Sequence, residues 1–181
     1  MSGRLVILNG ASSSGKTTLA RAVQADWPGL WLHFSIDGLV DALPPTLRGG
    51  DGLTFGPAGE VSAGTAFRRA EAAWMVGVAA TVRAGVSAVV DDVFLGGALS
   101  QGRWRAALGD LPVSWVGVHC DLAEAERREQ ARPDRTVGMH RRQAELVHRD
   151  VLYDAEVDTG QESREVLALH LRGVLDLGVC P

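Results

Sequence analysis

The stretch Gly10-Ala11-Ser12-Ser13-Ser14-Gly15-Lys16-Thr17 fits the pattern G-x-x-x-x-G-K-[ST], and it constrains the fold more than any other part of the chain. Glycines let a backbone turn its N–H groups inward around an anion, because no side chain blocks the approach. Upstream, Leu5-Val6-Ile7-Leu8 is a continuous apolar run of the kind seen in a strand buried on both faces. Downstream, Thr18-Leu19-Ala20-Arg21-Ala22-Val23 reads as a helix whose N-terminus faces the loop. Strand, loop and helix together predict a phosphate site formed by residues 10–18. In it Lys16 reaches the β and γ phosphates and the Thr17 hydroxyl ligates Mg²⁺. Lys16 is also the only lysine, against seventeen arginines. A chain that uses arginine elsewhere keeps lysine where a compact, flexible charge is not exchangeable for a planar guanidinium.

The rest of the sequence alternates apolar runs with helix-length segments, the pattern of an α/β domain with a parallel sheet. Strands are predicted at Arg4–Asn9, Trp31–Ser35, Val86–Val90, Val113–His119 and Ala155–Val157. From Val61 onward, Phe67, Ala70, Trp74, Val78 and Val82 recur at helical spacing, with Arg68, Arg69 and Glu71 largely off that face. Residues 44–60 are rich in glycine and proline and read as a loop. Further helices are expected near Gln101–Leu108, Ala123–Arg132 and Arg141–His148, with a last amphipathic one carrying Val166, Leu167, Leu171 and Val174. At 181 residues and 46% hydrophobic content, a single domain spanning 1–181 is expected.

A net charge of −4 gives no footing for nucleic acid or an anionic membrane, and no apolar run approaches the length of a membrane span. Cys120 and Cys180 offer no disulfide framework, and the N-terminus shows no secretory pattern, so a cytoplasmic location is expected. Association into a homo-oligomer is left open. The five histidines, His33, His119, His140, His148 and His170, form no metal-ligand pattern.

Three groups beyond the loop carry chemistry. Asp91-Asp92 ends an apolar strand, where a carboxylate helps hold Mg²⁺; the competing reading is a turn or helix cap, and spacing does not say which aspartate faces the metal. Asp37 follows the second strand on the same sheet edge. It is positioned either to accept the proton of an attacking hydroxyl or to cap the helix beginning at Gly38. The run from Arg127 to Arg135 places Arg128 and Arg132 one helical turn apart, with Arg135 beyond Pro133. Such arginines either neutralise a transferring phosphoryl group from a lid around 127–142 or form a solvated helix with Glu124, Glu126 and Glu129. Arg141 and Arg142 are expected at the surface. Of the five tryptophans most are expected in the core, with Trp31 and Trp104 the ones placed to wall a substrate pocket.

Along nearly its whole length the sequence resembles the chloramphenicol phosphotransferases, small P-loop kinases. The resemblance runs through Ile7-Leu8-Asn9-Gly10, Phe34-Ser35-Ile36-Asp37, Asp91-Asp92-Val93-Phe94-Leu95-Gly96-Gly97, Trp115-Val116-Gly117-Val118, the arginine run, and Tyr153-Asp154-Ala155-Glu156-Val157-Asp158-Thr159. It implies a three-layer P-loop kinase fold with a five-stranded parallel sheet in the order 2-3-1-4-5. It also implies transfer of the γ-phosphate of ATP, with Mg²⁺, to a hydroxyl of chloramphenicol or a similar small alcohol. Asp37 would then be the base, Arg135 the lid cation over the phosphates and Arg132 a weaker phosphate contact. Two departures stand out: Ala11 in place of a second glycine, and Pro133 where a flexible lid residue is expected. The acceptor itself is not written in strong motifs, so another hydroxylated antibiotic or metabolite is the alternative. A nucleotide-binding regulator without turnover would account for the loop, but not for Asp37 and the arginine run occurring together.

Overall fold

The computed structural model describes residues 3–47, 49–56, 60–131 and 138–175. Its centre is a five-stranded parallel sheet built from β1 (Leu5–Asn9), β2 (Trp31–Ser35), β5 (Ser87–Asp92), β6 (Ser114–His119) and β7 (Ala155–Asp158). The strands lie in the order β2-β5-β1-β6-β7. Counted within this sheet alone, that is the expected 2-3-1-4-5. The helices are α1 (Lys16–Asp26), α2 (Ile36–Ala42), α3 (Thr65–Arg83), α4 (Ala98–Leu108), α5 (Leu122–Gln130), α6 (Met139–Val147) and α7 (Arg164–Val174).

Strand parity explains the three layers. On β1 every residue is buried, but Val6 and Leu8 join one core with Leu19 and Val23 of α1 and Leu167 and Leu171 of α7. Leu5 and Ile7 join the other, with Met75, Val78 and Val82 of α3 and Trp104 and Leu108 of α4. A strand flanked on both faces must be apolar at successive positions, which is why the sequence shows no alternation there.

The same parity separates the two aspartates of β5. Asp91 shares the face of Val89, toward α1, and Asp92 shares that of Val90, toward α4. Register places Leu8 beside Asp91, Asn9 beside Asp92 and Ser35 beside Asp91, so the ends of β1, β2 and β5 converge at one edge.

The segment read as a loop contains structure. Pro45–Leu47 forms a 3₁₀ turn, and β3 (Leu53–Phe55) pairs antiparallel with β4 (Val61–Ala63). The long helix accordingly begins at Thr65, not Val61, with the Thr65 amide donating to Asp51 Oδ1 at 2.9 Å. The hairpin is held by a third apolar cluster of Leu43, Leu53 and Phe67, joined by Ile36, Val40, Val61 and Ala63. No helix among the described residues is long and apolar enough to cross a membrane.

Candidate active site

The phosphate loop follows β1 and enters α1 through Gly15, whose φ of 89° is a left-handed conformation that favours glycine. The N-cap residue Gly15 offers no side-chain cap to α1, and a helix N-terminus of this kind favours an anion. Gly10 is required for a different reason. A Cβ there would lie 2.3 Å from the Val118 carbonyl oxygen, which is backbone of β6 and does not swing aside.

Each of the loop's carbonyls from Gly10 to Ser14 meets a donor. Lys16 Nζ donates to Gly10 O at 2.8 Å and to Ala11 O at 2.7 Å. His140 Nδ1 lies 2.7 Å from Ser12 O, Arg128 donates to Ser13 O at 3.4 Å, and Thr159 Oγ1 donates to Ser14 O at 2.7 Å. These donors take up the carbonyls of residues 10–14. The hydroxyls of Ser12, Ser13 and Ser14 are buried and have no partner among the described residues, and Ser13 holds a φ of 62°. Buried polar atoms without partners are costly, and an oxyanion in the loop would satisfy them.

Beside the loop, Asp91 is 2% exposed. Burial acts to raise its pKa, but polar contacts with His33, Ser35 and Thr17 and the charge of Lys16 outweigh it and hold the carboxyl below its usual range. His33 Nε2 lies 3.3 Å from Asp91 Oδ2, without the alignment of a hydrogen bond. Asp91 Oδ2 and the three serine hydroxyls are thus the unsatisfied oxygens around Thr17 and Lys16. That donor set fits a hydrated divalent cation bridged to phosphate.

Asp92 is engaged elsewhere. Trp104 Nε1 donates to its Oδ2 at 2.7 Å, and the Val93 amide donates to its Oδ1 at 2.7 Å. Burial pushes its pKa up to about 6, against those two donors.

Asp37 occupies the first turn of α2, but it is not the cap. Ser35 takes that role, its Oγ accepting from the Asp37 amide at 3.2 Å. The Asp37 carboxylate is exposed and lines a cavity of about 780 Å³. The same cavity is lined by Ser12, Ser13 and Gly15 to Thr18 of the phosphate loop and by Ile36, Val40, Leu53, Phe55, Val61 and Phe67. Its remaining polar lining includes Arg68, Glu71, Asp92 and Arg103. Glu71, expected off the buried face of its helix, is only 5% exposed. It accepts from Arg68 at 2.9 Å and from Arg103 at 3.0 Å.

Neither tryptophan expected at the pocket is there. Trp31 packs edge-on against Trp27 in the core under α7, and Trp104 is fully buried behind Asp92. Aliphatic side chains with Phe55 and Phe67 make the wall instead.

The arginine run divides. Arg127 pairs with Glu124, and Arg128 bridges Glu124 to Thr159, with 3.0 Å to its Oγ1 and 2.9 Å to its carbonyl. Both line the cavity. Arg132, Pro133 and Arg135 lie outside the described residues. Arg141 and Arg142 pair with Glu126 and Glu60 at the surface, as expected. Among the described residues no group of His, Cys, Asp and Glu side chains could hold a metal ion by itself, and Cys120 is a free thiol; Cys180 is not described.

Sheet order, phosphate loop and flanking helices define a P-loop kinase fold. Solved structures agree: the APS kinase CysC of Mycobacterium tuberculosis, in complex with AMPPNP and APS, has a TM-score of 0.67 at 19% identity, covering 97% of this chain and 98% of that one. The tunicamycin resistance protein of Deinococcus radiodurans has a TM-score of 0.68 at 17% identity, covering 99% of each. Residues 3–176 match the chloramphenicol phosphotransferase-like protein family, and the chain belongs to that family. A protein of Mycobacterium tuberculosis strain H37Rv named "putative O-phosphotransferase" is 32% identical over 178 residues, covering 87% of this chain and 75% of that protein. Family and fold make the protein a phosphotransferase that acts on a hydroxyl.

Proposed function

We propose that the protein transfers the γ-phosphate of ATP to a hydroxyl of a small amphipathic alcohol, with chloramphenicol the first acceptor to test. The observation that carries this reading is the shared cavity: Lys16 and the loop line it together with an apolar wall, and Asp37 lines it too. A volume of about 780 Å³ is within the range of sites that enclose a drug-sized molecule.

In this reading the first-turn amides of α1 and Lys16 bind the phosphates. Thr17 and Asp91 hold Mg²⁺, which when bound neutralises and orients the phosphate oxygens. Asp92 is left out of the metal site because both its oxygens already accept from Trp104 and Val93. The aliphatic wall seats the apolar body of the acceptor and excludes water. Asp37 accepts the hydroxyl proton as the acceptor oxygen bonds to the γ-phosphorus and the bond to the β–γ bridging oxygen breaks, giving a phosphate monoester and ADP. Arg135 and Arg132 remain proposed lid cations. Mass spectrometry of a chloramphenicol and Mg·ATP incubation tests the acceptor. Addition of one phosphate supports it; unmodified drug alongside phosphorylation of another alcohol moves the assignment to that alcohol.

A further inference from the structure

The phosphate loop is gripped from outside by one helix, and neither contact belongs to the loop motif. Gln143 Oε1 accepts from the Ser12 amide at 2.7 Å, and His140 Nδ1 meets the Ser12 carbonyl at 2.7 Å. A carbonyl only accepts, so Nδ1 carries a proton and donates it here. Residues 140 and 143 are three apart on α6 and therefore project from one face. Both are almost completely buried, at 3% and 5% exposure. Ser12 thus has both peptide groups clamped, immediately before Ser13 with its uncommon φ of 62°.

The clamp is itself anchored. Glu129 of α5, only 1% exposed, accepts from the Gly138 amide at 2.9 Å and from the His140 amide at 2.7 Å, which caps the start of α6 with a carboxylate. At the other end, Asn9 Nδ2 donates to the Val147 carbonyl at 2.7 Å. The helix is fixed at both ends, and His140 in its first turn and Gln143 in its middle make the contacts to the loop.

From this arrangement we infer that His140 and Gln143 are positioning residues of the nucleotide site: they hold the Ser12 peptide so that the loop stays open for phosphate before the nucleotide arrives. The inference rests on the reading of residues 10–18 as an ATP site. Loss of the clamp lets the loop relax onto its own serine hydroxyls, and the anion then has to reorganise it. The cost falls on nucleotide binding; of the two clamp residues Gln143 lines the cavity and His140 does not, so the acceptor KM is read in the His140 variants.

The test is calorimetric binding of a non-hydrolysable ATP analogue to the wild type and to Gln143→Met, His140→Leu and His140→Asn, paired with KM values for ATP and acceptor. Gln143→Met removes the acceptor oxygen at similar volume. His140→Asn keeps an N–H at the position of Nδ1, and His140→Leu does not. The expected result is affinity about tenfold weaker in Gln143→Met and His140→Leu, an unchanged acceptor KM in the two His140 variants, and recovery toward wild type in His140→Asn. Equal affinity in all four proteins overturns the clamp, and so does an equal loss in His140→Asn and His140→Leu. If His140→Leu does not fold, Gln143→Met still reads the amide half of the clamp. A wild type that binds no analogue overturns the ATP-site reading itself and the clamp with it.

Discussion

Trp104 Nε1 donates to the Asp92 carboxylate at 2.7 Å inside the fold, and this bond divides the labour of two adjacent aspartates. Burial raises the Asp92 pKa to about 6 from an ordinary 3.8. The folded state therefore binds this proton more tightly than the unfolded state, so the contribution to stability is full below about pH 4 and is lost as pH rises to about 6. Two pKa units correspond to roughly 3 kcal/mol. Asp92→Asn removes the titration: its stability relative to wild type should rise between pH 4 and 6 and stay level above pH 7. Denaturant melts at four pH values read this difference, which other groups common to both proteins do not affect.

Asp91 and Asp92 should also part in their response to metal. Asp91→Asn removes a charge beside Thr17 and Lys16, and should raise the Mg²⁺ concentration for half-maximal activity about tenfold or more. Asp92→Asn should leave that midpoint within about twofold, because its oxygens already serve Trp104 and Val93. Activity titrated with Mg²⁺ at saturating ATP compares them.

Phe55 is 58% exposed at the open edge of the hairpin and lines the cavity. Phe55→Ser should weaken acceptor binding severalfold, seen in KM for the alcohol, with KM for ATP unchanged. Its effect on stability should stay within about 0.5 kcal/mol, since little burial is lost. Initial rates varied in each substrate, with one thermal melt, check both parts.

The sheet is readable in the sequence because runs such as Leu5–Leu8 and Ala88–Val90 are apolar at successive positions, and the phosphate loop because its residue types are dictated by backbone chemistry. The hairpin is not. Leu53-Thr54-Phe55 and Val61-Ser62-Ala63 alternate over only three residues each, too few to show a period, and glycines surround them. Mistaking Val61–Ala63 for helix followed from the same brevity.

Asp37 could be named from its place after β2, but the competing cap reading fell only when Ser35 was seen to cap α2. His140 belongs to no metal-ligand pattern in the sequence. Its only sequence signal was the three-residue spacing from Gln143, and spacing does not reveal that both side chains end on a backbone distant in the chain. Trp31 and Trp104 show the converse error: nearness in sequence to site segments put them at a pocket from which burial removes them.

Asp37 is proposed to act on an alcohol held in the same cavity as the nucleotide, and acceptor-stimulated ADP release by wild type and Asp37→Asn tests this most directly. The prediction is a turnover lower by about 10²- to 10⁴-fold in Asp37→Asn, with ATP affinity within about twofold of wild type. Turnover retained in Asp37→Asn at unchanged ATP affinity would contradict it.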